Sequence, residues 1–243
     1  MSLTAKLLLS PLLVAQAVAT RVRMPRLPEA DGERAGEVGR GPLLRLLIVG
    51  ESSAAGVGVA RQRDALSGHL TRALAAQCTA RVRWRLLARS GITSAQCLRM
   101  LEADAPAHAD VAVVVLGVND VVDQVPSLRA VRSREAIANR LRNAHGVAHV
   151  VFAPLPPVSR FPGLPQPLRW VAGADARRHD AAVAHWAAGR DDVSHVPIDL
   201  PLNRGVMAGD GFHPGAPVYR VCGVALAEHI AAQIWPRLQP ARR

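Results

Sequence analysis

Ser52 is the first residue in the chain whose type and surroundings could support catalysis. It follows an apolar run at 43–49 and precedes a turn of small residues, so three interpretations are available. Serine can cap a helix N-terminus, it can belong to a phosphate-binding loop, or it can be a nucleophile presented by a sharp turn. A phosphate loop closes with Gly-Lys-Ser/Thr, whereas Gly56 is followed by Val57 and Gly58. The cap and the nucleophile stay open at this point.

Asp210 and His213 form a second group that suits the same chemistry. They lie three residues apart in a turn bounded by glycine and proline, so both side chains can lie on one side of the backbone. The carboxylate could hold one imidazole nitrogen while the other faces Ser52, as in acyl-transfer enzymes. Each residue also has a structural interpretation, Asp210 as a helix cap and His213 as one of nine histidines. Gly91 and Asn119 also follow predicted strands and could be ordinary turn residues.

Alternating strands and helices are predicted to position these residues. Short apolar runs bounded by turns predict strands, and apolar residues at helical spacing predict helices. The predicted strands are 43–49, 81–87, 110–116, 148–153 and 193–198. The predicted helices include segments near 66–75, 133–143, 172–188 and 218–234, and one that opens at Thr93 or Ser94. The polar–apolar alternation of 81–87 is typical of a half-exposed edge strand. Six prolines make 154–167 an irregular loop. The alternation predicts an α/β fold, a parallel sheet with helices on both faces.

Four blocks in this order resemble the SGNH hydrolases, the GDSL-type esterases and lipases. The blocks are Gly50-Glu51-Ser52 with Gly56 four residues on, Gly91, Gly117-Val118-Asn119-Asp120, and Asp210-Gly211-Phe212-His213-Pro214. The resemblance extends from residue 43 to about residue 234. It implies a flavodoxin-like three-layer α/β/α sandwich with a mostly five-stranded parallel sheet.

The resemblance also implies a role for each site residue. Ser52 would be the nucleophile, His213 its general base and Asp210 the residue that orients the imidazole. The backbone N–H groups of Ser52 and Gly91 and the side-chain amide of Asn119 would form the oxyanion hole. The family aspartate is replaced by Glu51, for which we expect altered local hydrogen bonding.

Ester hydrolysis on a small acyl ester, with no metal or organic cofactor, is the activity that the resemblance implies. A thioesterase or a carbohydrate O-acetyl esterase would use the same residues. A membrane-surface binding protein that kept the fold without catalysis is a further alternative.

Composition limits the choice of partners. The net charge of +11 could suggest nucleic acid, but the basic residues are scattered arginines, Lys6 is the only lysine, and aromatics are 3% of the chain. No nucleic-acid partner is expected. Cys78, Cys97 and Cys222 are odd in number and far apart, which favours small apolar residues in a reducing compartment.

The N-terminal segment, residues 1–26, is apolar and is predicted to be signal-like or a membrane-surface helix. Its apolar core at 7–19 follows Lys6 and ends in small residues, as a signal peptide does. Arg21, Arg23 and Arg26 follow directly, and positive charge tends to stay on the cytoplasmic side. We therefore expect a cytoplasmic or cytoplasmic-membrane-associated protein, with export after cleavage near Ala19 as the alternative. Residues 27–42 are interpreted as a linker and 43–243 as the hydrolase domain.

Overall fold

Six strands form the central sheet of the computed structural model, which describes residues 3–105, 107–200 and 202–239. In chain order they are β1 (Ala35–Val38), β2 (Leu43–Gly50), β3 (Arg81–Ala88), β4 (Val111–Val115), β5 (His149–Phe152) and β6 (Val193–His195). They lie in the order β1-β3-β2-β4-β5-β6. All neighbours run parallel except β1 and β3, which are antiparallel. The predicted α/β fold with a mostly parallel sheet is confirmed. Without β1 the order is the flavodoxin-like one.

The sixth strand corrects two expectations. The segment 27–42 was expected to be a linker, but residues 35–38 pair with β3 from Ala35 opposite Arg85 to Val38 opposite Val82. β3 was expected at the edge and is instead the second strand of the sheet. The sequence hides β1 because it is four residues long and mostly exposed, so it has no burial period. Residues 1–2 and 240–243, at the ends of the predicted N-terminal segment and domain, lie outside the described residues.

Nine α-helices accompany the sheet within the described residues. They are α1 (Leu3–Arg23), α2 (Ser52–Ala55), α3 (Leu66–Gln77), α4 (Ser94–Ala103), α5 (Val118–Val122), α6 (Ser127–His145), α7 (Leu168–Ala187), α8 (Ala216–His229) and α9 (Trp235–Leu238). Short 3₁₀ turns occupy Gln62–Asp64 and Val158–Arg160, and a π-helical turn, Ile230–Ile234, joins α8 to α9. Both α6 and α7 begin earlier than predicted, directly after Pro126 and Pro167. Proline breaks the hydrogen bonding of a helix interior but is tolerated where a helix begins.

Helices cover both faces of the sheet, which explains why β2 is apolar almost throughout. Leu46 and Ile48 of β2 face the cluster made with α3 and α8, while Leu47 and Val49 face the cluster made with α4, α6 and α7. A parallel strand buried on both faces loses the polar–apolar alternation. β2 is thus an inner strand, and its carboxyl end, which leads to Ser52, opens near the middle of the sheet edge. No helix within the described ranges is long and apolar enough to cross a membrane.

Candidate active site

Three strand ends meet at the carboxyl edge of the sheet. Gly50 of β2 pairs with Ala88 of β3 on one side and with Val115 of β4 on the other. Chain segments that leave these neighbouring positions must run close together, and they carry Ser52, Gly91 and Asn119. This is the edge at which open α/β sheets hold their ligands.

A one-turn helix presents Ser52. Ser52 is the first residue of α2, and the Glu51 carbonyl accepts hydrogen bonds from the N–H groups of Ala54 and Ala55. Gly58 then takes a φ of +104°, and a Cβ there would lie 2.2 Å from the carbonyl oxygen of Pro214. Only glycine lets the Ser52 turn pack this closely on the loop that follows His213.

Ser52, His213 and Asp210 form a continuous hydrogen-bonded chain. The His213 Nε2 atom lies 3.1 Å from Ser52 Oγ, and His213 Nδ1 lies 2.6 Å from Asp210 Oδ2. An ionised carboxylate only accepts hydrogen bonds, so Nδ1 carries the proton and Nε2 is left to accept from the Ser52 hydroxyl. The structure brings together the three residues that the sequence singled out for catalysis; their roles stay predictions.

Asp210 is held as a carboxylate by its own loop. Its side chain is inaccessible to solvent, and burial alone raises its pKa. The hydrogen bonds from the His213 ring and from the backbone N–H groups of His213 and Phe212 outweigh burial and lower the pKa below the ordinary value. The pair can therefore stabilise positive charge on the imidazole.

Glu51 organises the turn after β4. Its buried carboxylate accepts hydrogen bonds from the backbone N–H groups of Gly117, Val118 and Asn119, at 2.9 to 3.2 Å. It also accepts one from the Asn119 side-chain amide at 2.6 Å. The family aspartate position is thus filled by a residue that ties the nucleophile block directly to the Asn119 block.

The Asn119 amide is engaged on both sides. Besides the bond to Glu51, its Nδ2 donates to the carbonyl oxygen of Ile92 at 3.2 Å. A side-chain amide nitrogen has two hydrogens to donate, so one of these bonds must be exchanged before Asn119 can donate to an oxyanion. Its predicted role in the oxyanion hole stays a prediction. The Ile92 contact does place the Gly91 turn against Asn119.

Gly91 lies in a turn that a distant residue holds in place. It takes a φ of +78° and is exposed. The Glu29 carboxylate accepts from the N–H and hydroxyl of the preceding Ser90, at 2.7 and 2.8 Å. Glu29 also pairs with Arg34, which donates to the Ala88 carbonyl at 2.9 Å. Sequence reasoning missed Glu29 because it lies in the presumed linker, 61 residues from Ser90.

The backbone groups expected to bind an oxyanion are unoccupied. Neither the Ser52 nor the Gly91 N–H donates a hydrogen bond to another residue in the described parts of the chain. An N–H at a helix start has no intrahelical partner and is therefore free to donate to an anion.

A buried ion pair under the site was also missed. Asp120 and Arg134 are each 1% exposed, and Arg134 Nη2 donates to Asp120 Oδ2 at 3.2 Å and to the Leu116 carbonyl at 3.1 Å. Asp120 also accepts from the N–H and hydroxyl of Ser94. This pair joins the start of α4 to α5 and α6. Sequence reasoning missed it because Asp120 and Arg134 lie on different helices, 14 residues apart.

An apolar pocket opens beside Ser52 and His213. The space within it, with the solvent at its open mouth included, is about 700 Å³. Its walls are mainly apolar and come from α8, from the ends of β4 and β5, and from the proline-rich loop; they include Val115, Ala153, Phe161, Val218, Cys222 and Leu226. The predicted loop at 154–167 thus contributes to the pocket wall through Pro154, Pro156 and Phe161.

Over the described residues, no group of three or more His, Cys, Asp or Glu side chains is arranged to hold a metal ion. Burial raises the pKa of Cys78 to about 11 and those of Cys97 and Cys222 to about 12, so these thiols stay protonated near neutral pH.

Comparisons with known proteins bear on the family and the fold of the chain. The model of the GDSL-like lipase/acylhydrolase family matches residues 48–221. A GDSL-like esterase of Mycobacterium tuberculosis is 31% identical over 234 residues, covering 86% of this chain and 72% of that protein. Two solved structures are similar in fold. A lipase/acylhydrolase from Enterococcus faecalis is 20% identical, with a TM-score of 0.54 over 82% of this chain and 100% of that one. The psychrotrophic esterase EstA from Pseudoalteromonas sp., solved inhibited by monoethylphosphonate, is 17% identical, with a TM-score of 0.55 over 79% of this chain and 98% of that one.

Proposed function

We propose, from the premise that the chain belongs to the GDSL-like lipase/acylhydrolase family, that it cleaves carboxylic esters with Ser52 as nucleophile. The family membership itself indicates a hydrolase that acts on esters. The serine triad and the kind of acyl group are the parts we add.

The observation that carries the proposal is the chain Ser52–His213–Asp210 at the mouth of an apolar pocket. His213 Nε2 takes the proton as Ser52 Oγ bonds to the acyl carbon. The N–H groups of Ser52 and Gly91 donate hydrogen bonds to the negative oxygen. Asn119 Nδ2 donates a third once it gives up its hydrogen bond to Glu51 or to Ile92. His213 then gives its proton to the leaving alcohol as the ester C–O bond breaks. His213 next takes a proton from a water molecule whose oxygen bonds to the acyl carbon. It returns that proton to Ser52 Oγ as the bond between Ser52 and the acyl group breaks and the acid leaves.

The pocket supports an apolar acyl group as the part of the substrate bound there. Its walls offer mostly aliphatic and aromatic surface, which suits a hydrocarbon chain better than the hydroxyl groups of a sugar. Val218, Cys222 and Leu226 of α8 line the pocket, and the first and last of them lie eight positions apart, a rise of about 12 Å. The pocket therefore favours esters of medium-length linear acids over carbohydrate acetates. Thioesters of the same acids would bind equally well.

Labelling with a fluorophosphonate tests the nucleophile. A related esterase has been solved inhibited by a phosphonate, which supports this choice of probe. We expect label on Ser52 alone, and none in Ser52→Ala. Ser194 is the matched control because its Oγ lies 3.1 and 2.8 Å from His149 and His229, yet it is not part of the site. Label that survives Ser52→Ala but is lost in Ser194→Ala would overturn the assignment, and no label on folded protein would favour a non-catalytic binding protein.

Hydrolysis rates over a series of p-nitrophenyl esters and matched thioesters test the acyl preference. We expect kcat/KM to rise from the acetate towards medium chains and then to fall. Cys222→Phe fills the pocket and should lower the ratio of octanoate to acetate activity. A maximum at the acetate, unchanged by Cys222→Phe, would instead favour an acetyl esterase.

A further inference from the structure

The helix α1 carries a continuous apolar face that points away from the domain. Leu8, Leu12, Val14, Val18 and Val22 are between 46% and 81% exposed. We infer that α1 is an interfacial helix that binds the protein to an anionic phospholipid surface. Most large apolar side chains elsewhere in the described chain are buried, so this face is a departure from the rest of the molecule.

Helical geometry gathers these five residues on one side. At about 100° per residue, positions 14, 18, 22, 8 and 12 follow one another in steps of about 40°, so they cover an arc of about 160°. The small residues Pro11 and Ala15 fall inside the same arc. The sequence of α1 contains no aspartate or glutamate. A wide aliphatic arc without acidic groups is the pattern of a helix that lies in a membrane interface.

One flank of α1 is fixed to the domain through Gln16, which lies about 40° beyond Leu12 around the helix. Gln16 Nε2 donates to the Gln166 carbonyl at 2.7 Å, and Gln16 Oε1 accepts from the N–H of Leu168, the first residue of α7, at 3.1 Å. Gln16 thereby satisfies a donor at a helix start that has no intrahelical partner. With this side attached, the apolar arc stays outward.

Charge selects the partner. Arg21, Arg23 and Arg26 are exposed at the end of α1 and form no ion pair with another described residue. The whole chain carries +11. An anionic bilayer neutralises these charges while it covers the apolar arc. A second copy would instead bring two chains of +11 together.

The docking helix lies beside a catalytic loop. The end of α1 and the loops that carry Gly163 and Asp210 line one groove, with Gln16, Thr20 and Arg23 on the α1 side. A protein bound through α1 would thus hold the Asp210 loop next to the lipid that it contacts through the helix.

Vesicle flotation of the full chain tests the inference. We expect binding to vesicles of phosphatidylcholine with phosphatidylglycerol, weaker binding to phosphatidylcholine alone, and loss of binding at high salt. The double variant Val14→Asp/Val18→Asp should bind at least about tenfold more weakly. Leu128→Asp is the matched control, because Leu128 is 72% exposed on α6; it should bind as the wild type does. Both variants change exposed residues, so their thermal midpoints and their rates on a soluble ester should stay near wild type. Val22→Asp is a further variant of the apolar face, and it should also bind vesicles more weakly than the wild type.

Four results would overturn the inference. The full chain could fail to float with anionic vesicles, or the double variant could bind as well as Leu128→Asp. Light scattering without lipid could reveal a dimer that Val14→Asp/Val18→Asp dissociates, which would identify a second copy as the occupant. Intact mass from the native host could show a chain that starts at Thr20, which would mean that the helix is removed.

Discussion

Glu51 carries a carboxylate in surroundings that favour its neutral form. Complete burial raises its pKa to about 7, and the nearby Asp120 carboxylate acts in the same direction, whereas hydrogen bonds from Val118 and Asn119 oppose the rise. Four donors point at this one side chain. Its protonation state therefore affects how firmly the Asn119 turn is held.

The raised pKa predicts a pH-dependent stability. Between pH 4.5 and about 7 the folded state keeps a proton on Glu51 that the unfolded state has lost, so stability falls as pH rises through this window. The contribution is up to about 3 kcal/mol. Half-buried His149, whose pKa desolvation lowers to about 4, acts in the opposite direction. The test is therefore the difference in urea unfolding between wild type and Glu51→Gln at pH 5 and pH 8. If the difference in the free energy of unfolding between the two proteins is the same at pH 5 and pH 8, Glu51 does not titrate between these pH values.

Asn119→Ala tests the oxyanion role directly. Removal of one oxyanion donor typically lowers kcat by about 10²–10³-fold, and KM should change little because the bond forms mainly in the transition state. Glu51 would also lose a donor, so we expect a stability loss of about 1–3 kcal/mol and the assay must be run well below the thermal midpoint. Asn139→Ala on α6 is the control and should keep normal kcat. A folded Asn119→Ala enzyme with near-normal kcat would exclude Asn119 from the oxyanion hole.

At the scale of elements, α4, α5 and α6 meet around the Asp120–Arg134 pair. Arg134 also reaches the Leu116 carbonyl, and a Cβ at Gly117 would lie 2.3 Å from its Nη2. Glycine is required at 117 because the guanidinium packs against the backbone there, with Gly117 at a φ of +135°. The ion pair thus fixes the approach of α6 to the turn that carries Asn119.

Arg134→Met should destabilise the fold by about 3–5 kcal/mol, since it leaves the Asp120 carboxylate buried without its cation. Arg132→Met on the same helix changes an exposed residue and should shift stability by less than about 0.5 kcal/mol. Chemical unfolding of the two variants side by side makes the comparison. If Arg134→Met is as stable as Arg132→Met, packing of the methionine fully replaces the contribution of the ion pair.

At the scale of the whole molecule, residues 27–42 belong to the sheet and the site. β1 covers the outer edge of β3, Glu29 holds Ser90, and Ala30 donates from its N–H to the Ala55 carbonyl at the end of α2. This segment touches the turns that carry both Ser52 and Gly91.

Two truncations separate the N-terminal parts. Removal of residues 1–26 takes away α1 and should leave the thermal midpoint and the rate on a soluble ester close to those of the full chain. Removal of residues 1–42 exposes the edge of β3 and frees Ser90, so we expect a lower midpoint, a tendency to aggregate and a loss of kcat. Glu29→Ala in the full chain should lower kcat without aggregation. If removal of residues 1–42 leaves the thermal midpoint and kcat as close to those of the full chain as removal of residues 1–26 does, β1 and Glu29 are dispensable.

Local pattern was enough to predict β2 to β6, the longer helices that follow them, and the positions of Ser52, Asp210 and His213. Burial of a strand on both faces leaves a short apolar run, and burial of a helix on one face imposes a helical period on its apolar residues. Sharp turns require glycine or proline, so all three features leave signals in short stretches of chain. The Asp210–His213 contact spans three residues, which the spacing of one turn already brings into reach.

Contacts between distant residues were decided by tertiary structure. Glu29 with Ser90, Asp120 with Arg134, and Glu51 with Asn119 join residues 61, 14 and 68 positions apart. Such pairings depend on the register of the strands and on the packing of the helices. They leave no pattern in the types of neighbouring residues. The same holds for β1, which is too short and exposed to show a pattern. The residues of the predicted triad could be found in the sequence, whereas the residues that hold the Gly91 and Asn119 turns in place became visible only when the chain was folded.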